Sequence, residues 1–125
     1  MVKTLLTIII TTLILVGGAI YETNFITRQF NEFSNVLDVL YEKIDDQTAT
    51  QDDVYAVQQN WIEKKKVLHV FIPHNDIKEV DLWLSESATL VRDKEWKDAI
   101  SKIEVLKELA EQIPRTFVIA LENIL

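Results

Sequence analysis

From Thr4 to Tyr21 the chain reads TLLTIIITTLILVGGAIY, 18 residues without a charge, with Lys3 just before and Glu22 just after. At the rise of an α-helix this run covers about 27 Å, close to the roughly 30 Å of bilayer hydrocarbon. Its β-branched Ile and Thr are weak helix formers in water, but lipid offers backbone amides no partner outside the segment, so a single span there is helical. The run therefore predicts a membrane-spanning signal-anchor over residues 1–21, carried by Thr4, Leu5, Leu6, Ile8, Ile9, Ile10, Leu13, Ile14, Leu15, Val16, Ala19, Ile20 and Tyr21. A cleaved signal peptide is the competing reading, because Gly17, Gly18 and Ala19 supply small residues where a cleavage site would fall. Against it stand a leader whose only basic side chain is Lys3 and an apolar run that continues past the glycines. A buried core helix is the third reading.

Charge sets the orientation and narrows the partners. Lys3 and the amino group flank one end of the run while Glu22 follows the other, which favours a cytoplasmic N-terminus and an extracytoplasmic C-terminal domain at residues 22–125. All 20 acidic residues and all but one of the 13 basic residues lie beyond the run. That acidic balance argues against nucleic acid and against adsorption on anionic lipid, both of which reward positive surface. The sequence contains no cysteine, so disulfides, thiolate nucleophiles and Cys-based metal sites are excluded from it.

Both glycines sit in the apolar run, and the only prolines are Pro73 and Pro114. The outer domain thus lacks the turn residues that β-hairpins and phosphate-binding loops use, and periodicity takes it to all-α. Ile26, Phe30, Phe33, Leu37, Leu40 and Ile44 recur at alternating steps of four and three, one apolar seam on a helix. No breaker separates that seam from Tyr21, so anchor and first outer helix are expected to form one rod to about Asp46. Thr50 is the expected N-cap of a second helix ending near Phe71, with Val54, Val57, Trp61 and Leu68 inward and Lys64, Lys65 and Lys66 largely solvated. A third helix is expected from Asn75 as cap, presenting Ile77, Val80, Leu84, Ala88 and Val91. A fourth presents Trp96, Ala99, Ile103, Leu106, Ala110 and Ile113 until Pro114 ends or kinks it, and a short amphipathic segment completes the tail. Short connections make this an antiparallel bundle of about four helices plus that segment.

The N-terminal anchor, the stretch His74-Asn75-Asp76-Ile77-Lys78-Glu79-Val80 entering a helix, and Ile113-Pro114 followed by Leu121-Glu122-Asn123-Ile124-Leu125 are similar to a known pattern. On these the chain resembles the bacterial membrane-anchored family catalogued as domain of unknown function 4363, whose members commonly carry His where Gln112 stands here. The resemblance implies an envelope location and a small helical domain, and no activity.

Candidate sites follow from chemistry alone. His69 and His74, with Asp76, Glu79 and Asp81, are the metal-capable cluster, but the histidines are five apart across Pro73 instead of at the i, i+4 spacing of helical zinc sites. Capping and helix-dipole roles at the start of the third helix are the plainer reading. Trp61, Trp83 and Trp96 either fill the core or line a ligand pocket. Phe117, Leu121 and Ile124 make the tail the candidate interaction surface, capping the core or docking on a partner or a second copy. The expected protein is non-enzymatic and without a cofactor, its partner an envelope or membrane protein or itself. A ligand-sensing bundle is the alternative, secreted if the N-terminal segment is cleaved. Mass spectrometry of protein recovered from membranes is expected to find residues Thr4 to Ala19 still attached; a new N-terminus at Ile20 identifies a leader instead.

Overall fold

The structure is a computed structural model describing residues 1–124; Leu125, the last residue of the terminal motif and of the expected outer domain, lies outside the described residues. Four helices follow in order, α1 Val2–Asp45, α2 Gln51–Leu68, α3 His74–Arg92 and α4 Trp96–Ile124, with no strand among the described residues. Each neighbour in sequence is a neighbour in space, and α4 closes the ring on α1. The result is the expected all-α, up-down-up-down bundle.

α1 is one uninterrupted helix of 44 residues, about 66 Å long. Its two halves live in different environments. The first is apolar and exposed on all sides, whereas Ile26, Phe30, Phe33, Leu37, Leu40 and Ile44 form a fully buried seam in the second. Trp61 of α2 seats on this seam, its ring 5.0 Å from Phe33 and 6.2 Å from Phe30.

The α1–α2 turn passes through Gln47 in the left-handed region at φ 58°, and Lys43 O accepts the amides of Thr48 and Ala49. Thr50 then caps α2 as expected. Its hydroxyl accepts from Asp53 N–H while the Asp53 carboxylate accepts from Thr50 N–H, a reciprocal capping box.

Three local expectations need correction. α2 ends at Leu68 instead of Phe71, because the residue before a proline is pushed out of helical geometry and the chain turns to bury Ile72. Asn75 is not the cap of α3. Pro73 occupies that position in an extended conformation, and its carbonyl accepts from the amides of Asp76 and Ile77. Pro114 neither ends α4 nor separates off a terminal segment: the helix runs through it to Ile124. The backbone bond lost at Pro114 is outweighed by packing on both sides, where Ile113 and Pro114 are buried and Phe117 meets Phe71. On α3, Ser87 takes a fully buried position, its hydroxyl donating to Trp83 O at 2.8 Å, and Ala88 is half-buried.

Phe33→Ala is expected to lower unfolding stability by about 3–5 kcal/mol, measured by denaturant titration in detergent. Val39→Ala, on the exposed face of the same helix, is expected to change it by less than about 0.5 kcal/mol.

Candidate membrane-proximal site

Antiparallel packing brings the end of α4 back along α1 to the apolar run. Ala110, Pro114, Arg115 and Val118 share a cleft with Thr27 and Asn31. Further along, Val118, Leu121 and Glu122 face Val16, Ala19, Ile20, Thr23 and Asn24 across a mostly apolar cleft of about 510 Å³. The α2–α3 turn arrives at the same end, where Phe71 stands 6.4 Å from Phe25 and 6.3 Å, edge on, from Phe117. Of the candidate interaction residues, Phe117 and Leu121 are therefore half-buried within the chain, and Ile124 is exposed. Heptad-like spacing in the tail marked its apolar face; its position beside the apolar run had no sequence signal.

Ion pairs cross every seam of the ring. Lys43–Asp53 at 2.8 Å and Lys64–Glu32 at 2.7 Å join α1 to α2, and Lys65–Asp81 at 3.2 Å joins α2 to α3. Lys102–Glu86 at 3.6 Å joins α3 to α4, and Lys107–Asp38 at 2.8 Å joins α4 to α1. The lysine triplet is thus not a uniformly solvated run. Lys64 is buried, its side chain 8% exposed, and also donates to Gln29 Oε1 at 3.2 Å. Lys65 shares Asp81 with the Trp61 indole N–H, which donates to the same oxygen at 2.8 Å; only Lys66 is exposed, pairing locally with Glu63. The sequence hid this because a lysine stem of four methylenes crosses an apolar surface while its ammonium meets a carboxylate at the rim.

The tryptophans part company. Trp61 alone of the three lines the α2–α3 cleft of about 310 Å³, with Tyr55, Gln58 and Lys65. Trp83 lies 4.7 Å beneath the Lys102 ammonium, and Trp96 is half-buried at the start of α4. The His/carboxylate cluster is spread out. His69 sits at the end of α2 with Nδ1 3.3 Å from Lys65 O, and His74 and Glu79 are exposed on α3, with Asp76 half-buried. Among the described residues no group of three or more His, Asp or Glu side chains is placed to hold a metal ion.

α1 is long and apolar enough to cross a membrane, a property that anchors share with signal sequences. A family model described as "Domain of unknown function (DUF4363)" matches residues 20–124. The chain belongs to that family. Among curated proteins and solved structures nothing matches. The DUF4363 segment opens at residue 20, inside the apolar run, and closes at residue 124, so it contains the buried seam and the helix ring.

Two carboxylates of the DUF4363 domain titrate below their usual range. Lys64 holds Glu32 down by hydrogen bonding and then by charge, and Lys43 and the Thr50 amide do the same for Asp53. A depressed folded pKa contributes stability above the unfolded pKa, and that stability is lost as pH falls through the folded value. The thermal midpoint is thus expected to fall as pH drops below the ordinary values of 4.5 and 3.8. Glu32→Gln combined with Asp53→Asn is expected to flatten that decline in a calorimetric pH series; an unchanged slope removes these pairs as its cause.

Proposed function

We propose that this chain is a non-enzymatic, single-pass envelope protein that holds its helical domain outside the membrane and presents it to another membrane protein or a second copy. The observation that carries the reading is the continuity of α1, one helix that is an exposed apolar rod at one end and the principal core seam at the other. A hinge-free junction of this kind holds a domain in place for neighbours arriving in the same membrane. Confinement to two dimensions raises the effective concentration of such neighbours, so a modest interface suffices.

Retention of the apolar run is supported by the tail. Val118 and Leu121 face Val16, Ala19 and Ile20, and cleavage after Ala19 would remove part of that surface. With the run retained, the weak positive bias at Lys3 favours a cytoplasmic N-terminus. The ligand-sensing alternative needs a cavity where several tryptophans converge, and the α2–α3 cleft holds Trp61 alone.

Photo-crosslinkers placed at the exposed positions Tyr55 and Leu82 in native membranes are expected to capture one defined membrane protein or a second copy. Replacing residues 1–21 with a cleaved leader is expected to weaken the capture severalfold. Absence of any specific adduct at both positions overturns the interaction reading, and capture indifferent to release of the domain overturns the role of the tether.

A further inference from the structure

We infer that the bundle rests on the lipid surface at its membrane-proximal end, with the final turns of α4 seated in the outer interface beside α1 and the α2–α3 turn at headgroup level. This rests on the reading of α1 as a membrane span and adds a second, peripheral membrane contact to it.

Axial heights along α1 carry the argument. If Tyr21 marks the outer edge of the hydrocarbon, Phe25 stands about 6 Å above it. Phe71 packs at the height of Phe25, so its neighbour Val70, 70% exposed, falls within a headgroup layer about 5–8 Å thick. The tail goes deeper. Phe117 meets the same Phe71 ring, which puts it near the height of Phe25, and beyond it Val118, Leu121 and Glu122 share a cleft with Val16, Ala19, Ile20, Thr23 and Asn24. Seven residues further down antiparallel α4, a drop of about 10 Å, Ile124 stands about 5 Å inside the edge, near the level of Gly18. Interfacial amphipathic helices bury their apolar faces about 5–10 Å deep, the same range.

The side chains suit that position. Ile119 and Ile124 are 51% and 79% exposed, and in water they would be uncovered apolar surface at the tip of a helix. Between Thr116 and Ile124 the only charged side chain is Glu122. It is exposed and lines the cleft beside the outer end of the apolar run, within reach of the headgroups, so the tail is interfacial and not a second span. A second copy is the other occupant to consider. The patch occupies the end of the bundle from which α1 emerges, a direction that a copy anchored in the same bilayer does not face.

The absence of cysteine from the sequence makes the test direct. Full-length Val70→Cys, Ile119→Cys and Ile124→Cys, with Ile9→Cys and Tyr55→Cys as references, are spin-labelled singly and reconstituted in phosphatidylcholine vesicles. Collision rates with oxygen, which partitions into lipid, and with a nickel chelate, which stays in water, are then compared. The oxygen-to-nickel ratio at Ile119 and Ile124 is expected to approach that at Ile9 and to exceed that at Tyr55 severalfold, with Val70 also above Tyr55. Any of the three ranking with Tyr55 while Ile9 reads as lipid overturns the surface contact and leaves the anchor standing. Ile9 ranking with Tyr55 overturns both. Low collision rates with both reagents, together with dipolar broadening between labels, assign the patch to a second copy and overturn the lipid contact.

Discussion

The contact of Trp61 with Phe30 and Phe33 is the interaction on which the rest of the molecule depends. It fastens the outer half of α1 to the bundle, and all three rings are withdrawn from water. Removing one ring of this kind costs about 3–5 kcal/mol, a large share of the 5–15 kcal/mol that typically separates a folded domain from its unfolded chain. The indole N–H does not oppose burial, since Asp81 accepts it from α3. One side chain on α2 therefore joins three helices: α1 through its ring, α3 through its nitrogen, and its own.

Around that centre the ion pairs govern register more than strength. Most have both partners substantially exposed, and pairs of that kind contribute about 0–1 kcal/mol each. A helix seam of Leu, Ile and Ala tolerates a slide of one turn, whereas a Lys107–Asp38 pair at 2.8 Å does not survive a shift of about 5.4 Å. The ring thus receives an axial setting at each of its four seams, and the position of the α4 tail beside the apolar run follows from that setting. Lys64 differs because it is buried: removal of Glu32 would leave an ammonium without its carboxylate in a low-dielectric site, a larger penalty than loss of a surface pair.

Much of the fold was legible in the sequence where one physical rule acts alone. The six-residue seam of α1 is set by helical periodicity, and every member is buried. Thr50 caps α2 because its hydroxyl and the Asp53 carboxylate satisfy each other's amides locally. Legibility failed where tertiary packing overruled a local preference. Pro114 reads as a terminator on backbone grounds, yet burial of Ile113 and Pro114 and the edge-on contact of Phe117 with Phe71 carry α4 across it. Asn75 reads as a cap on propensity, yet the fixed φ of Pro73 and its extended ψ start the helix two residues earlier. Phe117, Leu121 and Ile124 were recognisable as one apolar face, but no spacing in the chain states that Phe117 meets Phe71 or that Leu121 shares a cleft with Val16 and Ile20, some hundred residues away in sequence.

Gly17 and Gly18 interrupt an otherwise bulky run, and a Cβ at either position would meet no other group of the chain. They are not there to admit close packing within this molecule. Each is less favourable in a helix interior than alanine by about 1 kcal/mol in water, yet α1 runs through both without interruption. Val16, Ala19 and Ile20, which flank this pair, share a cleft with Val118, Leu121 and Glu122, yet Val16 and Ile20 stay 42% and 57% exposed. The α4 tail thus reaches the level of the glycines without packing on them. Continuity of α1 across the pair therefore rests on its own backbone hydrogen bonds, which are strongest where water is excluded.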